Sequence, residues 1–166
     1  GRRQDVRSGR SDRGYARGGV VPTPVFGRSS KAYPMLRYPW ADTRAALEAL
    51  AADRPALDAV QVTYVNPETG ADAQNILGLH ALMLRPGQTL ALPARSPASV
   101  YHLIDGAVEV RVGAQPAFAL AEADTCCAPG YVGIRLVNRA AGRPSFVFIA
   151  DESPLHRKLG VYEERL

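Results

Sequence analysis

Long apolar runs, cysteine, histidine and aromatic residues are all scarce in this sequence. No stretch of its 166 residues approaches the roughly 20 apolar residues of a membrane-crossing helix, and the N-terminus lacks the apolar core of a secretory signal. A soluble, cytoplasmic protein is expected. The only cysteines are the neighbours Cys126 and Cys127. On a strand they point to opposite faces, a poor geometry for a bridge, which argues against a disulfide-framed fold and suits a reducing compartment. The three histidines, His80, His102 and His156, share no metal-ligand spacing, so each reads as an ordinary core or surface histidine.

What is present suits one folded domain. A chain of this length can bury about two thirds of the surface its unfolded form exposes, and 46% hydrophobic with 22% charged residues is near the globular average. The net charge of +4 is unevenly placed. Residues 1–31 carry eight positive side chains against Asp5 and Asp12, leaving twelve positive and fourteen negative for residues 32–166. The basicity therefore belongs to a Gly- and Arg-rich segment, expected to be an arm or interdomain linker, and the domain at 32–166 is slightly acidic. Nothing in that segment resembles a helix-turn-helix, a zinc module or an aromatic stacking surface, so nucleic acid is not the expected partner. A first residue of Gly1 rather than methionine suggests a processed, tagged or excised piece of something longer.

Asp42 is placed to cap a helix over Thr43–Ala52, with Ala46, Leu47 and Leu50 as its apolar stripe and Pro55 beyond its end. After Pro55 come short runs of Val, Ile, Leu, Tyr and Phe between turn residues. Nine strands are expected, at 59–65, 76–84, 89–92, 99–104, 107–112, 117–120, 125–128, 131–138 and 145–150. Strands so short and so closely spaced predict an all-β antiparallel barrel or sandwich. Asp105-Gly106 is the strongest hairpin signal, because both residues tolerate positive φ. Ser153-Pro154 opens a second short helix that Gly160 closes.

The spacing resembles the two motifs of a cupin, the double-stranded β-helix or jelly-roll barrel. Counting from Gly87, Pro93 and Arg95 fall in the two histidine slots, Ser99 in the glutamate slot and Gly106 at the closing glycine. In the second motif Ala123, Pro129, Tyr131, Ile134 and Asn138 follow in order, with Ile134 in the last ligand slot. Pro, Arg, Ser and Ile supply no set of imidazole nitrogens or carboxylate oxygens for a divalent metal, so no metal is expected in this chain, and the resemblance implies no catalytic residue in it.

Other phrases narrow the resemblance. Tyr38-Pro39-Trp40-Ala41-Asp42-Thr43-Arg44, Tyr64-Val65-Asn66-Pro67-Glu68-Thr69-Gly70 and Arg85-Pro86-Gly87-Gln88 are similar to the C-terminal half of gentisate 1,2-dioxygenases. So is the ending, Phe146 to Asp151 and then Leu159-Gly160-Val161-Tyr162-Glu163-Glu164. That family implies bicupin enzymes of aromatic compound degradation, oxidoreductases that open a ring with dioxygen at an iron(II) held by three histidines in the N-terminal cupin. By this resemblance the chain is the second, metal-free cupin. Its role would be structural and oligomerising, beside a catalytic cupin of the same parent chain. A dimer is expected, with the arm or first strands crossing to a partner.

A stand-alone cupin is the alternative. Arg95 stands where a ligand histidine would point inward, and its guanidinium could hold a small carboxylic acid in a fork. Tyr101, Tyr131 and Asn138 are candidates for the same pocket, against the plainer reading that they are core or scaffold. Tyr38-Pro39-Trp40 is expected to anchor the helix on the barrel, and both cysteines to serve packing.

Overall fold

The computed structural model describes residues 37–165. The expected arm at 1–31 lies outside the described residues. A helix α1 (Trp40–Asp53) is followed by β1 (Val60–Thr63), β2 (Gly78–Leu84), β3 (Thr89–Leu92), β4 (Ala94–Arg95), β5 (Ser99–Asp105) and β6 (Val108–Val112). Then come β7 (Phe118–Leu120), β8 (Thr125–Ala128), β9 (Ile134–Asn138), β10 (Ser145–Asp151), a helix α2 (Ser153–Leu159) and β11 (Glu164–Arg165). All nine expected strands form; β4 and β11, two residues each, pair only with one another.

The strands make two antiparallel sheets, ordered β1-β2-β10-β5-β8 and β3-β9-β6-β7. They stack as the two layers of a cupin jelly roll and do not close into a barrel. Leu82, Tyr101, Leu103, Val147 and Ile149 from the first sheet and Val108, Val110, Ile134 and Leu136 from the second fill the space between them. Strand alternation places Ala81, Met83 and Phe146 on the other side of the first sheet, where α1 covers them with Leu47.

Asp105-Gly106 is not a hairpin. β5 pairs with β10 and β8, whereas β6 pairs with β7 and β9, so the two residues turn the chain from one sheet to the other. The register of β5 slips against β10 beside Phe146 and Val147, and Gly106 takes φ 110°. The dipeptide signals positive φ, and it cannot signal which partner the next strand will choose.

The first helix also begins before its expected start. Pro39 is its cap, and the Pro39 carbonyl accepts from the amides of Asp42 and Thr43 at 3.2 and 3.3 Å. Asp42 lies inside the first turn, where a carboxylate meets the positive end of the helix dipole. Trp40 packs edge-on to Phe146 with ring centres 5.4 Å apart, Tyr38 does the same to Tyr64 at 5.0 Å, and the Tyr38 hydroxyl donates to the Val65 carbonyl at 2.6 Å. Tyr38-Pro39-Trp40 thus anchors the helix within the chain.

Candidate functional site

The strands run between two differently built ends. At one end Ser145 pairs with Leu84, and at the other Asp151 pairs with Gly78 and Ser99.

The Ser145 end is a clasp. Asn138 Nδ2 donates to the carbonyls of Leu84, Arg85 and Arg143 at 3.0, 2.9 and 2.9 Å, while its Oδ1 accepts from the Ala140 amide and the Ser145 hydroxyl, both at 2.8 Å. Gly106 closes on the same serine, because a Cβ added there would stand 2.9 Å from the Ser145 Cα. The last residues of the two cupin motifs, Gly106 and Asn138, therefore meet at Ser145. Every polar atom of the Asn138 side chain is used in joining chain segments.

The opposite end holds Ile134, Ser99 and Arg95, three of the residues expected in the ligand slots. Ile134 is 4% exposed and belongs to the core. The Ser99 hydroxyl donates to the Tyr101 hydroxyl at 3.4 Å, and Tyr101 is buried. Arg95 is half-buried. Burial disfavours its charge, but the Tyr162 hydroxyl and the fields of Tyr101 and Asp151 outweigh that cost and raise its pKa. Burial raises the Tyr101 pKa above the ordinary phenol value. Arg95 and Tyr101 are thus neighbours. Tyr131 joins them through its backbone, its amide donating to the Arg95 carbonyl at 2.6 Å, while its ring lies exposed under the guanidinium of Arg165 at 4.6 Å. Asn138 is not among them.

Three members of this end carried no signal in the sequence. Asp151 is 3% exposed, its Oδ1 accepts from the Ser153 amide at 2.9 Å, and His80 Nε2 stands 3.5 Å from its Oδ2. Burial opposes its charge, but His80 and the Ser153 hydrogen bonds overcome this and hold the carboxyl below its ordinary range. Tyr162 arrives with β11, whose Glu164 pairs with Arg95. Only the fold brings residues 80, 95, 151 and 162 together. Of the other two histidines, His102 lies elsewhere, against the Thr125 hydroxyl at 2.9 Å, whereas His156 borders this end and meets the hydroxyl of Ser96, the neighbour of Arg95, at 3.0 Å.

Beside the Asp151 end, the outer face of the first sheet bears an apolar groove of about 430 Å³. Ala150, Val100 and Cys127 stand directly opposite one another on three adjacent strands, and Leu77 borders them. Leu77 and Val100 remain 37% and 38% exposed, large for aliphatic side chains on a sheet face. The helix α1 covers the β1 and β2 side of this face and leaves the β5 and β8 side bare. Cys126 turns inward, where burial pushes its thiol up to about 11.

Comparison with known proteins gives the arrangement a setting. No family model matches the chain. It is 67% identical over 165 residues, 99% of its length, to a gentisate 1,2-dioxygenase of a Ralstonia species, of which it spans 46%. It is 26% identical over 136 residues, 80% of its length, to a 5-aminosalicylate 1,2-dioxygenase of a Comamonas species, of which it spans 36%. The crystal structure of salicylate 1,2-dioxygenase from Pseudoaminobacter salicylatoxidans, in adducts with gentisate, superposes with a TM-score of 0.71 at 23% identity, over 94% of this chain and 43% of that one. That likeness speaks for the fold alone. The chain spans less than half the length of these curated relatives.

Proposed function

This chain is a cupin domain of the gentisate 1,2-dioxygenase family, the counterpart of one half of such a protein, and on that premise we propose that it is the C-terminal half, without iron, which packs against a catalytic cupin and holds the enzyme together. The observation that carries this reading is the content of the ligand slots. Pro93 offers no donor, Arg95 presents a positive charge, Ser99 is engaged with Tyr101, and Ile134 is packed into the core. Iron(II) takes imidazole nitrogens and carboxylate oxygens. The residues in these positions do not fit that metal, and no step of ring opening is assigned to them.

The bare groove over Val100, Ala150 and Cys127 supports a packing role. Contiguous apolar surface left uncovered marks an interaction site. The occupant we assign is the other cupin of the parent protein, because the relatives carry more chain beyond the matched part than within it. Self-association of the assembled protein belongs to the same proposal.

Two measurements test it. After anaerobic incubation with iron(II) and gel filtration, the chain should retain no stoichiometric iron; one iron per chain would overturn the slot assignment. Mixed with the remaining part of the Ralstonia relative, it should form a complex by light scattering, and Val100→Asp should prevent it. Failure to associate, or a complex indifferent to Val100→Asp, would remove the packing role or its assigned face.

A second reading rests on Arg95, which has no carboxylate within ion-pairing distance among the described residues. A stand-alone cupin could bind a small organic acid there. Benzoate binding by calorimetry that disappears in Arg95→Gln would favour it.

A further inference from the structure

The outer face of the second sheet carries a hollow of a different kind. In β9, Ile134, Leu136 and Asn138 are buried, so Arg135, Val137 and the following Arg139 face outward; in β6, Glu109 and Arg111 do the same. The antiparallel register places Arg111 directly opposite Arg135 and Glu109 opposite Val137. Like charges in directly opposed positions destabilise a sheet. Neither guanidinium has an ion-pair or hydrogen-bond partner among the described residues. Arg139 differs, with its Nη2 3.1 Å from Glu109 Oε1. On the third strand, Thr89 stands beside Val137 and Gly87 lies just beyond, and these small residues leave a hollow of about 260 Å³.

We propose that this hollow binds a small dianion, a phosphate ester or a dicarboxylate, held between Arg111 and Arg135. Three arginines against one glutamate leave two positive charges unbalanced, which a dianion neutralises. Each guanidinium presents a planar fork of N–H donors that matches two oxygens of a phosphate or carboxylate. A doubly charged ligand between the two forks replaces repulsion with two attractive contacts. The strands fix both arginine backbones, so only side-chain freedom is lost on binding. Arg139 is already held by Glu109 and serves as a charged rim. The volume suits a small molecule and is below the range typical of drug-sized ligands. No residue of the hollow occupies a cupin ligand slot, so the site stands apart from the family reading.

Thermal unfolding and calorimetry of the 166-residue chain test this, in chloride buffer against phosphate and against succinate at matched ionic strength. A saturable rise in Tm in at least one dianion is expected, and the anion that acts identifies the class. Arg135→Gln should abolish the response and, in low-salt chloride, raise the Tm by relieving the repulsion. Arg111→Lys keeps the charge and loses the fork, and should weaken binding at least about tenfold. Absence of a dianion-specific rise overturns the proposal, as does a rise that survives both substitutions.

Discussion

Ala123 and Tyr131, two residues of the second cupin motif, both hold left-handed backbone, with φ 68° and 62°. They are the only non-glycine residues with positive φ among the described residues. In the first motif, Gly87 and Gly106 also have positive φ, at 69° and 110°. The turns of both motifs thus hold positive φ, on glycine in the first and on alanine and tyrosine in the second.

The left-handed region costs an L-residue about 1–2 kcal/mol, part of which glycine gives back through its greater unfolded-state freedom. Ala123→Gly should therefore raise stability, by about 1 kcal/mol in urea unfolding. A loss of stability would show that the Ala123 methyl packs to advantage.

The clasp at Ser145 should be expensive to open. Asn138→Ala takes the partner from the Leu84, Arg85 and Arg143 carbonyls and from the Ala140 amide, and leaving such groups unpaired costs about 1–3 kcal/mol each. A combined loss of about 3 kcal/mol or more is expected by denaturant titration. Gly106→Ala should be comparably damaging, because the added methyl collides with Ser145. Wild-type midpoints for both variants would refute the clasp.

Asp151 predicts an acid limb in the stability profile. Its folded pKa lies below the ordinary 3.8, so its stabilising contribution is complete above that value and is lost as pH falls through the folded pKa. In Asp151→Asn, stability at neutral pH should be lower and its decline in acid shallower. Urea midpoints between about pH 2 and 6 read both effects. Parallel profiles for the two proteins would remove Asp151 from the account.

The adjacent cysteines should react at very different rates. Cys127 is exposed, whereas the inward Cys126 thiol is pushed up to about 11 and remains largely protonated at pH 8. Iodoacetamide should modify one thiol quickly, and Cys127→Ser should leave only slow reaction, because the half-buried Cys126 offers little thiolate. Rapid labelling of Cys127→Ser would overturn the raised Cys126 pKa.

How much of this could be read beforehand depended on how local each signal was. Short apolar runs between turn residues set nine strands, proline, glycine and an apolar stripe set both helices, and motif spacing placed Gly106 and Asn138. The expected strand at Tyr131 starts only at Ile134, because left-handed backbone at Tyr131 cannot continue a strand. Two-residue pairings such as Arg95 with Glu164 have no periodicity to detect. Sheet membership after Asp105-Gly106, the Arg111–Arg135 opposition and the grouping of His80, Arg95, Asp151 and Tyr162 all depend on register between distant segments. No residue type announces that register.

Cohesion and the candidate site therefore occupy opposite ends of the same strands. The residues that keep the sheets in register gather at Ser145, a full strand away from the ligand slots, Arg95 and Tyr162. Such a division makes the fold tolerant of change in what it holds. A side chain at the Arg95 end can change without loosening the clasp that sets the shape at the other.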